Sequence, residues 1–218
     1  MVPSPPYDVR LEGFHAVKHA LRFAPALVGE VTVQDVGRVR ALAAQLAPDV
    51  LAPLLARAVV GPVGHHTGVA ALARRPEPDR AVLRARTGPL VLLDRPRHPG
   101  NVGAVIRVCA AASAAGVVVT GELDPWGPAV LRGSAGLHYA LPVLRADPAD
   151  VAGPLVVLDA GGENAAVPPG AVLVVGSERD GVGSALRARA DLVLALPMRP
   201  GVSSLNLATA VAAVLYRR

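Results

Sequence analysis

Apolar residues fall along this chain in two different rhythms. Between positions 11 and 23, Leu11, Phe14, Val17 and Leu21 recur at helical spacing, with Lys18 and Arg22 elsewhere on the wheel, which predicts an amphipathic helix. Residues 30–33 read as a short strand, 36–46 return to helical spacing, and 59–68 form a Gly-punctuated strand or loop. This first part reads as a small α/β unit. From residue 89 onward the pattern changes to short continuous apolar runs at 89–93, 117–120, 155–158, 172–175 and 192–196. Runs of that kind suit strands buried on both faces. The segments between them predict helices over 101–115, 183–190 and 203–216, with Gly116 suited to the residue just beyond a helix end. Strands alternating with helices imply a parallel sheet with covered faces, an α/β fold.

Between the two rhythms lies RRPEPDRAVLRARTG, residues 74–88, rich in Arg and Pro and poor in large apolar side chains. It reads as an exposed basic linker between domains at 1–73 and 89–218. With 218 residues, 52% of them hydrophobic and 18% charged, the chain can bury a sizeable core, which excludes a disordered segment. The net charge of +5 is unevenly placed. Residues 1–87 hold 11 basic and 7 acidic side chains, and residues 88–218 hold 11 and 10. An anionic partner such as nucleic acid is therefore permitted, chiefly on the N-terminal side. Lys18 is the only lysine, a bias that reads first as compositional.

Composition also closes several routes. A single cysteine, Cys109, excludes an intrachain disulfide and a Cys-cluster zinc site, and fits a reducing cytoplasm. The Pro-rich start lacks the basic-then-apolar order of a signal peptide, and no uncharged run reaches the ~20 residues of a spanning helix. Aromatics make up just 3%, which argues against a surface that stacks bases.

Polar residues and glycines gather at three strand ends, where an open parallel sheet binds its ligands. In HPGNVGAVIR, Asn101 and Gly103 open a helix that also carries Arg107. Free N–H groups at a helix start suit a polar or anionic ligand, although Asn101 alone reads as a cap and Arg107 alone as a surface ion-pair residue. In VVGSERDGVG, Gly176 and Gly181 flank Glu178. These glycines match neither G-x-G-x-x-G after a first strand nor the phosphate loop G-x-x-x-x-G-K-[ST], so dinucleotide and nucleoside-triphosphate sites lose their main support. In LPMRPGVSSLNLATAV, Ser203 or Ser204 is placed to cap the last helix, yet Ser204 and Asn206 around Leu205 exceed what capping needs. His15 and His19 share a helix face without a third ligand or an H-E-x-x-H pattern, so no metal site is expected. A Ser-His-Asp hydrolase lacks its G-x-S-x-G.

Taken together, the three corners resemble the SpoU branch of the SPOUT superfamily, the TrmH-like RNA ribose methyltransferases. Its N-x-G-x-x-x-R motif corresponds to Asn101, Gly103 and Arg107, and its G-x-E-x-x-G to Gly176, Glu178 and Gly181. Its third motif corresponds to Pro197, Met198, Ser204, Leu205 and Asn206, and LRGSAGLHYALP resembles its R-x-S-A-G segment. The likeness covers residues 88–218. LEGFHAVKHAL and HHTGVAALA are more loosely similar to the family's small substrate-binding domain.

The resemblance implies a C-terminal SPOUT domain with a deep trefoil knot, preceded by a small α/β domain that binds RNA. It implies transfer of a methyl group from S-adenosylmethionine to a ribose 2′-hydroxyl, without a metal. Gly176, Leu196, Met198 and Leu205 would hold the cofactor. Arg107 would activate the hydroxyl or stabilise the developing alkoxide, assisted by Asn101, Glu178, Ser204 and Asn206. A homodimer packed through the knot, in the cytoplasm and away from membranes, is the implied assembly. Ribosomal RNA is the favoured target, since a separate N-terminal domain suits docking on a large folded RNA. Transfer RNA is the alternative target, and a non-catalytic RNA-binding or ribosome-assembly protein that keeps the knot is the alternative role.

Overall fold

The computed structural model describes residues 9–177, 179–202 and 204–217. The chain folds as two compact units, one made of the described residues of 1–77 with 134–140, the other of 78–133 with 141–218. The first unit contains β1 (Val9–Glu12), α1 (Phe14–Phe23), β2 (Val28–Val33), α2 (Val36–Leu46), α3 (Leu51–Leu55), β3 (Ala58–Val60) and β4 (Val69–Ala73). Its mixed sheet has the order β1-β4-β2-β3, with β4 antiparallel to both neighbours and β2 parallel to β3.

Helix α1 forms where the spacing predicts it, and buries Phe14, Val17, Ala20 and Leu21. Leu11 belongs instead to β1, an edge strand whose four residues alternate between buried and exposed. Asp35 caps α2 by accepting from the Arg38 amide at 2.9 Å, satisfying a donor that a helix start leaves free. Residues 134–140 come from far along the chain but pack in this unit. The His19 Nδ1–H donates to the Ala135 carbonyl at 2.7 Å, and burial lowers the His19 pKa. Gly136, at φ +75°, lies so close to Ala16 that a Cβ would stand 2.6 Å from the Ala16 carbonyl oxygen.

In the second unit the elements are β5 (Leu90–Leu93), α4 (Pro99–Ala111), β6 (Gly116–Val119), α5 (Pro128–Ser134), β7 (Val143–Arg145), β8 (Leu155–Glu163), β9 (Val172–Val175), α6 (Ser184–Ala188), β10 (Leu192–Leu194) and α7 (Leu207–Leu215). Six strands pair in the order β10-β8-β9-β5-β6-β7, and every pairing is parallel. All residues of β5, β6 and β9 are buried, as continuous apolar runs require. From β5 the chain first builds outward through β6 and β7, then returns to the other side for β8, β9 and β10. That reversal falls between β5 and β9, the type of crevice in which open α/β sheets bind ligands.

Several boundaries differ from those the sequence predicts. Helix α4 begins at Pro99 and ends at Ala111, because Ser113 takes a left-handed φ of 55°, and Gly116 opens β6 instead of closing the helix. The last helix starts at Leu207, and Asn206 is its cap in place of a serine; Ser203 lies outside the described residues. The 183–190 helix shortens to α6, and the 192–196 strand ends at Leu194. The stretch 74–88 is exposed only in part. Its short 3-10 turn Arg80–Leu83 inserts Val82 and Leu83 into the core of the second unit. Arg86 fastens the same stretch, donating to the carbonyls of Val82, Leu83, Ala152 and Gly170.

Candidate functional site

A cavity of about 290 Å³ opens at the carboxyl ends of β8, β9 and β10. Leu158 to Ala160 line it from β8, Val175 to Ser177 from the end of β9, and Leu194, Leu196 and Met198 from β10 and the loop beyond. Ser204, Leu205 and Asn206 complete the wall before α7, and Asn101 reaches it from the first turn of α4. Most of this lining is aliphatic, with a few convergent polar groups, the usual make-up of a small-molecule site.

The glycines of the 176–181 loop have two separate physical reasons. At Gly176 the backbone passes so close to its own return that a Cβ would lie 2.0 Å from the Gly181 carbonyl carbon. Gly181 adopts φ +65°, the left-handed region that glycine enters without strain. Ser177 and Gly181 close the loop by exchanging amide-to-carbonyl hydrogen bonds of 3.2 and 3.1 Å. A side chain at Gly176 would fill the loop, so the cavity wall there is bare backbone. Glu178 lies outside the described residues.

Helices α4 and α7 bring the other two corners together. Asn206 accepts from the amides of Ala208 and Thr209 at 3.0 and 3.4 Å, capping α7. Its Nδ2 donates to Asn101 Oδ1 at 3.4 Å, so residues 105 apart in sequence meet at the cavity. Gly103 permits α4 to pack here, since a Cβ would stand 2.5 Å from the Val130 carbonyl oxygen. Of the residues singled out from sequence, Asn101, Gly176, Leu196, Met198, Ser204, Leu205 and Asn206 share this one cavity. Arg107 does not line it. It is exposed on α4, on the same helix as Asn101.

Two aspartates were not among the sequence candidates. Asp94, 4% exposed at the end of β5, accepts from the Gly183 amide at 2.8 Å, from Thr120 Oγ1 at 3.1 Å and from Arg95 Nε at 3.3 Å. Arg95 carries a left-handed φ of 48°, and Asp94 beside it raises its pKa. Asp159, at the matching position of the second apolar run but within β8, lines the cavity itself. It accepts from the Gly161 amide at 2.8 Å and forms an ion pair with Arg187 of α6, which holds its carboxyl below the ordinary range. An acidic residue directly after a four-residue apolar run is the available signal for both. Among the described residues, no group of three His, Cys, Asp or Glu side chains gathers as a metal site, and no helix is long and apolar enough to cross a membrane.

Comparison with known proteins places this geometry. The family model described as the SpoU rRNA Methylase family matches residues 88–216. The 23S rRNA (guanosine(2553)-2'-O)-methyltransferase RlmP of Bacillus subtilis is 30% identical over 221 aligned positions, covering 94% of this chain and 86% of that protein. A 23S rRNA (uridine(2479)-2'-O)-methyltransferase of Streptomyces viridochromogenes is 34% identical over 144 residues, 58% of this chain and 50% of its own length. The chain thus aligns with about half the length of that relative. The crystal structure of the SpoU methyltransferase AviRb from Streptomyces viridochromogenes, in complex with AdoMet, superposes with a TM-score of 0.75 at 25% identity, covering 95% of this chain and 87% of that one. An all-parallel sheet with a bare-backbone loop and an asparagine pair at its carboxyl edge, together with the family match across 88–216, shows that this chain belongs to the SpoU rRNA methylase family.

Proposed function

We propose that the chain is an RNA methyltransferase that uses S-adenosylmethionine to methylate a ribose 2′-hydroxyl in ribosomal RNA. The observation that carries this reading is the convergence of Asn101, Gly176, Met198, Ser204, Leu205 and Asn206 on one cavity at the carboxyl edge of a parallel sheet. The residues present suit the cofactor. Aliphatic side chains offer an apolar bed, the 176–181 loop exposes backbone donors and acceptors, and the asparagine pair supplies side-chain amides at the rim. When bound, S-adenosylmethionine supplies an electrophilic methyl group on a sulfonium.

What the protein must add is orientation and charge stabilisation, because a ribose hydroxyl is a weak nucleophile near neutral pH. A guanidinium offers five N–H donors and no acceptor, so Arg107 serves as a phosphate clamp and a stabiliser of the developing alkoxide instead of a literal base. Asn101 and Asn206 orient the hydroxyl, with Ser204 completing the polar rim, and Glu178 positions Arg107 or a ribose. The threading of the last segment as a trefoil knot, and a homodimer packed through it, belong to the same reading. So does an RNA-docking role for the first unit, in the cytoplasm. The rRNA target is supported by the names of RlmP and the Streptomyces viridochromogenes enzyme.

The test is transfer of tritiated methyl groups to ribosomal and transfer RNA, with the modified ribose mapped. Arg107→Ala should lower transfer by about 10²–10³ while cofactor affinity, read by calorimetry, stays within about twofold. Full activity in that variant removes Arg107 from the mechanism. Cofactor binding without transfer to any RNA would favour the non-catalytic reading.

A further inference from the structure

We propose that Asp159 is the specificity-determining acceptor for the ribose hydroxyls of the bound methyl donor, an inference that rests on the cavity being the cofactor site. Among the described lining residues it is the only ionisable one. Its placement has a backbone cause. Strand β8 pairs Val157 with Val193 and Glu163 with Leu194, so residues 158–162 bulge out of the ladder against β10. Gly162 lets the two backbones close again at the end of that bulge, where a Cβ would stand 2.4 Å from the Val193 carbonyl oxygen. Bulges beside sites commonly re-aim a side chain, and this one carries Leu158, Asp159 and Ala160 into the cavity wall.

The carboxylate is fixed yet incompletely used. Gly161 N–H and Arg187 engage it, while an ionised carboxylate offers about four acceptor positions. As an acceptor only, it selects a donor. The vicinal hydroxyls of a ribose present two donors side by side, a pairing that carboxylates make in other nucleoside sites. Position agrees with this choice. Asp159 lies in β8 and Asn101 in the first turn of the helix that follows β5, and β9 separates those two strands. The reacting groups therefore gather at one edge of the cavity and the nucleoside acceptor at the other.

Calorimetry on the full chain with S-adenosylhomocysteine tests this, using its 2′-deoxy and 3′-deoxy analogues and its inosine analogue, which lacks the base amine. Asp159→Ala should weaken S-adenosylhomocysteine by about 10- to 100-fold. A deoxy analogue should suffer a similar loss on the wild type but less than about twofold further loss on the variant. Asp159→Asn preserves shape and guards against misfolding; it should lose most of the hydroxyl discrimination, whereas Arg187→Ala should keep it. Unchanged affinity in Asp159→Ala, or deoxy discrimination that persists in the variant, overturns the proposal. Selective loss of discrimination against the inosine analogue also overturns it, by moving the contact to the base. If the wild type binds no S-adenosylhomocysteine, the cofactor reading itself fails, a result separate from the role of Asp159.

Discussion

Two strand entries in the second unit have nearly the same sequence and different fates. Residues 88–94 read GPLVLLD and residues 153–159 read GPLVVLD. Each forms a parallel strand, with aspartate directly after the last residue of β5 and at the bulge within β8, and each aspartate accepts from one backbone amide and one arginine. Both also grip the segment after β9, Asp94 through the Gly183 amide and Asp159 through Arg187. Since β9 lies between β5 and β8, the pair brackets the loop that forms one wall of the cavity. The difference lies in the neighbours. β5 is flanked by β6 and β9 in unbroken register, and Asp94 is 4% exposed. β8 bulges against β10, and the Asp159 side chain keeps 34% exposure at the cavity. Asp94 is held by burial; Asp159 is left facing the cavity.

Gly176→Ala should have the largest effect, since the new methyl collides with backbone and neither side can yield cheaply. Overpacking of this kind costs about 1–3 kcal/mol or more; denaturant melts should fall accordingly and cofactor binding should vanish. Normal binding would show that the loop, and thus the bracket, tolerates rearrangement. Asp94→Ala comes next, because it strands the Gly183 amide and the Thr120 hydroxyl. A loss of about 1–3 kcal/mol is expected. The same substitution at Asp159 should cost far less stability, and equal losses in paired melts would erase the contrast between the two strands.

Asn206→Ala should destabilise by about 1 kcal/mol through the lost α7 cap and also weaken methyl transfer, because the cap residue is the one that meets Asn101. A pure stability loss with unchanged kcat/KM would confine Asn206 to capping. The smallest effect concerns acid. Arg187 lowers the Asp159 pKa below its ordinary 3.8. The ion pair therefore stabilises the fold above about that pH, and its contribution disappears as pH falls through the lowered value. Solvent screening keeps this well under about 1 kcal/mol. Asp159→Asn should flatten that part of the acid-stability curve slightly, and an unchanged curve would mean the pair contributes nothing measurable.

Much of the second unit was legible because its strands are continuous apolar runs and its site residues stand at strand ends. Asn101, Gly176 and Asn206 stand out at those strand ends, and the family resemblance gives them a shared site. The first unit was less legible. Leu11 belongs to a four-residue edge strand but happens to continue the helical spacing of α1, so β1 was absorbed into the helix. Strand β4 hid among small residues, VAALA, which carry little β signal. The serines before α7 looked like caps because local chemistry favours them, but Asn206 does the capping and also bonds to Asn101, a partner 105 residues away. Asp159 could not be ranked at all, because its exposure depends on a register shift with β10.

By itself the sequence determined where apolar runs would bury strands on both faces, where the chain could turn sharply, and which polar residues would end up at the carboxyl edge. These are local matters of periodicity, backbone freedom and residue chemistry. Only the tertiary structure decided which of those residues share one cavity, and why two matching GPLV-x-LD segments part ways. Strand order and register set those outcomes, and both depend on contacts between residues far apart in sequence, which no local pattern encodes.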